Sequence, residues 1–157
     1  MDRELIDQYT AGGAKLRRAV EGLTRQDLLA RPGPGQWSIQ EVVIHLADSD
    51  AIAIDRMKRI LTEDNPPLLY ADETAYTEQL FGDEQSLDDA LLLVEVGRRQ
   101  FAHILRQLPD AAFLRRGTHN RRGEVTVGGM VADYVHHLDH HLAFIYAKRA
   151  KLNKPLV

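Results

Sequence analysis

Cysteine is absent from the 157 residues, which excludes disulfides, thiolate-held zinc and a cysteine nucleophile of the chain's own. Any thiol chemistry would need a thiol from outside. No apolar run approaches the roughly 20 residues that span a bilayer, so no membrane partner is expected. The start, Met1-Asp2-Arg3-Glu4, lacks the apolar core of a signal peptide, and a cytoplasmic location is the expectation. Neither charge sign dominates. With 20 Lys and Arg against 23 Asp and Glu, the net charge is -3, so no basic field recruits nucleic acid. Aromatic residues make up only 6%, with one tryptophan, too few to give the stacking platforms of single-strand binders.

What remains is ordinary for a soluble globular chain: 44% hydrophobic and 27% charged residues, enough for one domain over residues 1–157. Glycine and proline divide it into four long helical segments with strand signals nearly absent. The spacing predicts a first helix over about residues 3–27, with Leu5, Ile6, Tyr9, Leu16, Val20 and Leu23 on one stripe. Gly12-Gly13 in its middle predicts a kink or a tight helix contact. Arg31-Pro32-Gly33-Pro34-Gly35 breaks the helix. Ser38 and Glu41 then form a capping box that starts the second helix at Ile39, and Trp37 before it is expected to seal the core. Asn65-Pro66-Pro67 ends that helix. The connection to about Ser86 is long, with a short extra helix expected over residues 72–80. Ser86 with Asp89 resembles a second capping box, and Pro109 closes the third helix. Residues 115–125 read as a basic loop or small hairpin turn, after which Thr126 caps the last helix. Four amphipathic helices predict an all-α four-helix bundle, and the long connection between helices 2 and 3 permits a crossover.

Four of the seven histidines fall in Tyr134-Val135-His136-His137-Leu138-Asp139-His140-His141. Residues four apart share a helix face, so two pairs could each put two imidazoles on one metal. At 100° per residue, His141 lies about 50° and His137 about 90° from the stripe of Val127, Tyr134, Leu138 and Ile145. His136 and His140 point roughly away. The pair turned inward is therefore His137 and His141, and His45 on the second helix, at a shoulder of its stripe, is the candidate third ligand. Three imidazoles plus water make the open arrangement of a catalytic metal site suited to zinc, nickel or iron. The alternative is a solvated histidine-rich face.

Trp37-Ser38-Ile39-Gln40-Glu41, His45-Leu46-Ala47-Asp48-Ser49, Thr62-Glu63-Asp64-Asn65-Pro66 and His137-x-x-His140-His141 together resemble the DinB/YfiT-like superfamily over residues 35 to 147. The Ala-Asp-Ser and Thr-Glu-Asp-Asn-Pro segments are most similar to the YfiT branch, which includes bacillithiol S-transferases. The resemblance implies a four-helix bundle, zinc or nickel on His45, His137 and His141, frequent homodimers, and either thiol transfer or metal-dependent hydrolysis. Two departures bear on substrate. Leu138-Asp139 replaces an aromatic and a lysine, and Thr118-His119-Asn120 stands where a His-Pro pair is usual.

Of the remaining polar residues, Asp50 falls within the apolar stripe of the second helix, where it could orient a ligand histidine or pair with an arginine. His119 could act as a general base or substrate contact, or be a solvated loop residue. Arg115, Arg116, Arg121 and Arg122 could clamp the carboxylates of an acidic low-molecular-weight thiol, or simply be exposed. Three functions follow. The first is a metal-dependent S-transferase that joins an external low-molecular-weight thiol to a small-molecule electrophile. The second is a hydrolase using metal-held hydroxide, with His119 and Asp50 as candidate catalytic residues. The third is a non-catalytic, stress-related dimeric bundle.

Overall fold

A computed structural model describes residues 3–31, 33 and 36–156. The four long helices are α1 (Arg3–Val20), α3 (Ile39–Thr62), α5 (Leu87–Leu105) and α6 (Val127–Lys151), with the short helices α2 (Arg25–Leu29) and α4 (Glu73–Gln79) between them. Around the bundle the order is α1, α5, α3, α6: α1 packs on α5 and α6, and α3 packs on the same two. Helices first and second in the chain are thus diagonal neighbours. The connections from α1 to α3 and from α5 to α6 both cross the bundle.

The capping residues act as their spacing predicts. Ser38 accepts from the Glu41 amide, while the Glu41 carboxylate accepts from the Ser38 amide, which sets the start of α3. At α5 only half of that box forms, since Ser86 accepts from the Asp89 amide without a reciprocal bond. The short helix expected over residues 72–80 is α4, capped by Asp72. The first helix is shorter than expected, stopping at Val20 rather than about residue 27. Gly22 turns the chain at φ 73°, and Thr24 with Asp27 caps α2 separately. Leu23 still packs on the core, so the apolar stripe runs across a break that periodicity does not register. The expected break at residues 31–35 lies partly outside the described residues.

Sparse strand signals hide a small sheet, β1 (Pro67–Leu68), β2 (Arg116–His119) and β3 (Gly123–Thr126), in the order β1-β2-β3. The basic segment over 115–125 is therefore a hairpin that also pairs in parallel with the start of the long connection, Leu68 opposite His119. Strands of two and four residues are too short to show alternation.

Two apolar clusters fill the bundle. One contains Leu46, Val94 and Leu138, the other Ala53, Phe101 and Tyr134. Asp50 and Arg98, both fully buried, lie in α3 and α5 between these sets. Arg98 donates to Asp50 at 2.5 and 2.8 Å, to the Tyr134 carbonyl at 3.0 Å and to the Tyr9 carbonyl at 3.4 Å, so one guanidinium ties all four long helices together. Gly12-Gly13 supplies the tight contact. A Cβ on Gly12 would collide with the Arg98 guanidinium and with Leu138, and one on Gly13 would lie 2.6 Å from the Glu95 Cα. The two glycines let α1 approach closely enough to cover the ion pair.

Candidate metal centre

His45 comes from the second turn of α3 and His137 and His141 from the middle of α6, adjacent helices in the bundle. The His45 Nε2 lies 3.2 Å from the Nε2 of His137 and 3.2 Å from that of His141. Tetrahedral ligands about 2.0–2.1 Å from a zinc ion have nitrogens about 3.3 Å apart, so the spacing fits a divalent cation. Tautomer chemistry points the same way. A neutral imidazole carries one proton, so one Nε2 cannot donate to two neighbours. Three lone pairs turned toward one point are favourable around a cation and unfavourable without one. These are also the residues among those described whose ligand atoms cluster as a metal site requires.

Burial keeps the three rings neutral, the form that ligates. It lowers the His45 and His137 pKa values to about 4 and that of His141 to about 3, with neighbouring charges adding to the effect. The sign of the linkage follows. Above about pH 6.5 the rings are neutral in folded and unfolded chains alike. As pH falls below that value the unfolded chain takes up protons that the folded one refuses, so stability drops toward pH 4. Metal-free protein is expected to lose melting temperature between pH 6.5 and 4.5 more steeply than metal-free His141→Gln. Parallel curves, measured calorimetrically, would show that burial of these rings is not linked to stability.

The other ring nitrogen of each histidine, Nδ1, has no hydrogen-bond partner among the described residues, but Glu73 Oε2 stands 3.6 Å from that of His45. Ser49 links Glu73 to the other side of the site. Its hydroxyl donates to Glu73 Oε1 at 3.4 Å and lies 3.5 Å from the Tyr134 hydroxyl. A carboxylate on the far nitrogen of a ligand histidine holds its ring orientation and tautomer. Trp37 also touches the site, its ring 5.1 Å from that of His45. It is half-buried, so it flanks the site as well as packing on the core.

The three rings lie between two clefts. One, of about 580 Å³, contains His45 and His137 with Glu73, Tyr70, His119, Arg56, Arg121 and Arg122 on its walls. The other holds His141 and Trp37, and Thr74 of α4 borders both. His136 and His140 are exposed and stack on one another at 6.3 Å on the rim, as helix phase predicts.

The remaining candidates divide. His119 is buried on the wall of the first cleft. Its Nδ1 accepts from the amides of Arg121 and Arg122. Burial and the charges of Arg56, Arg122 and Arg121 hold its pKa below the usual value. The neutral ring therefore carries its proton on Nε2 and acts as a hydrogen-bond donor rather than a base. Asp50 takes the second of its two readings, held by Arg98 between α3 and α5. Arg115 binds the Ile60 and Glu63 carbonyls at the end of α3, and Arg116 pairs with Glu124 at the surface; neither reaches the cleft. Arg121 and Arg122 do, the former stacked on Tyr70 at 3.5 Å and the latter paired with Asp133. Asp139 turns away to Lys15 of α1, and Leu138 packs in the core, so of the two departures from the family motif only the one at His119 reaches a cleft wall.

Three imidazoles converging between two helices of a crossed four-helix bundle define a helical-bundle protein with a three-histidine candidate metal site. The family model of the DinB superfamily matches residues 8–145, and the chain belongs to that superfamily. Two curated relatives carry the designation "Putative metal-dependent hydrolase". YfiT of Bacillus subtilis is 34% identical over 133 residues, 84% of this chain and 75% of that protein. One from Oceanobacillus iheyensis is 31% identical over 130 residues, 83% of this chain and 75% of that protein. The solved structure of YfiT, described as having an unusual four-helix bundle topology, matches with a TM-score of 0.90 at 30% identity. It covers 96% of this chain and 86% of that one.

Proposed function

We propose that the protein is a metal-dependent S-transferase that joins a low-molecular-weight thiol to a small electrophile. The observation that carries this reading is the pair of clefts on either side of three converging imidazoles. A two-substrate reaction needs two approaches to one centre. A divalent metal held by His45, His137 and His141, zinc or nickel, would act as a Lewis acid that favours the thiolate over the thiol.

The chain's own residues supply the rest. In the first cleft Arg56, Arg121 and Arg122 offer guanidinium donors to the carboxylates of an acidic thiol such as bacillithiol. The His119 Nε2–H adds a neutral donor. The thiol sulfur gives its electron pair to the electrophilic carbon while the bond to the leaving group breaks with its own pair. Glu73, the carboxylate beside His45, accepts the thiol proton. The products are a thioether and the leaving-group anion.

The test is loss of free thiol, with matching release of chloride, when the zinc-loaded protein meets an activated aryl chloride and bacillithiol, mycothiol or glutathione in turn. Turnover with one of the three is expected. Failure with all three, alongside hydrolysis of a simple ester or amide, would replace the transferase with the reading favoured by the relatives' designation, a metal-dependent hydrolase.

A further inference from the structure

The second cleft is of about 610 Å³ and differs in character from the first. Trp37, Val42 and Phe144 form apolar walls next to His141, and Lys148 and Lys151 stand beyond them, with Glu78 of α4 across the opening. Phe144 is 47% exposed although its ring contacts that of His141. An aromatic side chain left open beside a metal centre is an unfilled binding wall.

The order of residues along α6 sets the shape of the ligand. His141, Phe144, Lys148 and Lys151 fall three, four and three residues apart, on one face of the helix. At 1.5 Å per residue, Lys148 lies about 10 Å and Lys151 about 15 Å along the axis from His141. The lysines are not needed to satisfy the end of the helix, because the backbone amides of Leu152, Lys154 and Asn153 there donate to the Lys148, Arg149 and Ala150 carbonyls. Among the described residues neither the Lys148 nor the Lys151 ammonium takes part in an ion pair or hydrogen bond, and the carboxylate that attracts Lys148, Glu41, is already paired with Arg31. Two cations without a bonded partner therefore stand at the far end of an apolar slot whose near end is the metal centre.

We propose that this cleft binds the electrophilic co-substrate, and that this co-substrate is an amphiphilic organic anion. Its apolar body lies between Trp37 and Phe144, its carboxylate or sulfonate meets Lys148 and Lys151, and its reactive carbon sits at the opposite end, about 10 Å away beside His141. The assignment rests on the two-substrate reading above. It separates the partners by chemistry, with the polar, acidic thiol on the arginine side and the long apolar acid on the tryptophan side.

Trp37 is the single tryptophan of the chain, so its fluorescence reports this cleft directly, without thiol or turnover. The full chain is titrated with octanoate and, separately, with 1-octanol. A saturable fluorescence change is expected with octanoate, at an affinity about fivefold or more above that of octanol. Lys148→Met with Lys151→Met should erase that preference. Phe144→Ala should weaken both ligands, while Arg121→Met in the other cleft leaves both unchanged. Absence of saturable change up to about 5 mM octanoate, equal affinity for octanoate and octanol, or a lysine double variant that still prefers the acid would overturn the assignment. The two proposals fail separately. Thiol consumption without octanoate binding keeps the transferase and removes this site, and octanoate binding without thiol consumption keeps the site and removes the transferase.

Discussion

Replacing His141 by alanine is expected to lower bound divalent metal from about one equivalent to less than about 0.2, and to remove metal-dependent activity with it. The size of the effect follows from how the site is built. Two ligands come from α6 and one from α3, and the three Nε2 atoms are spaced by helix packing. With His141 gone, two nitrogens remain, and no neighbour can replace the third. His140 is the adjacent residue, but it is exposed on the rim of the first cleft, where it stacks on His136 and meets Phe144 edge-on. An affinity loss greater than about 100-fold is therefore expected, larger than removing a supporting residue around a site normally causes. His140→Ala is the matched control and should keep its metal. Metal analysis of untagged protein decides the matter. Full occupancy in His141→Ala together with loss in His140→Ala would move the site to the rim.

The largest stability effect is expected from Asp50→Ala, at about 3–5 kcal/mol. Arg98 has no access to solvent, so without Asp50 its charge would be left buried with only the Tyr9 and Tyr134 carbonyls to meet it. For a chain of this length such a loss lowers the melting temperature by roughly 10 °C or more. The reverse single change, Arg98→Met, leaves a buried carboxylate and should cost a similar amount. The double variant Asp50→Leu with Arg98→Met should recover most of the loss, because the pair's desolvation disappears along with its attraction. Urea unfolding of the unaltered protein, Asp50→Leu, Arg98→Met and the double variant gives the cycle. If the two single changes simply add in the double variant, the residues do not act as a pair. Metal content of the double variant adds a second readout. Arg98 also holds the Tyr134 carbonyl one turn before His137, so a stable double variant with weakened metal binding would show that the ion pair positions α6.

The Asp50–Arg98 pair also shows what the amino-acid pattern reveals and what it conceals. Leu91, Val94, Phe101 and Leu105 form the stripe of α5, and Arg98 falls in register with them, as Asp50 does between Leu46 and Ala53. Each charge alone reads as an exception. Two opposite charges at stripe positions of two helices would have identified a buried pair, and only the Asp50 half drew attention. The histidines were legible because helix phase separates four candidates by angle, an arithmetic that needs no tertiary contact. The caps were legible for the same local reason. Glu73, Ser49, Arg56 and Tyr70 were not. Each looks like an ordinary polar or loop residue in sequence: Ser49 and Arg56 share α3 with His45 without any mark of a site, and only folding of the long connection over α3 brings Glu73 and Tyr70 there. Trp37 packs on the core as expected, and its place beside His45 was hidden for a related cause: a residue next to a helix end can face the core, the solvent or a neighbouring site, and spacing does not choose. The hairpin over residues 115–125 was legible as one of two readings, whereas its parallel pairing with β1 was not, because pairing between residues some fifty positions apart leaves no periodic trace.

Helix α4 is the partition between the two clefts, through Thr74 on both walls, with Glu73 facing one and Glu78 the other. Its only buried residue is Thr77, and it belongs to a connection that joins α3 to α5 outside the bundle. The wall that the two clefts share is thus encoded apart from the three histidines, while the opposite walls come from α3, α6 and the hairpin. Insertions, deletions and substitutions over residues 69–86 could reshape both clefts at once while His45, His137, His141 and the Asp50–Arg98 pair stay as they are. A lineage of such bundles can vary the shared wall of both clefts by exchanging one short surface segment, while the helices keep the histidines, the core and the opposite walls.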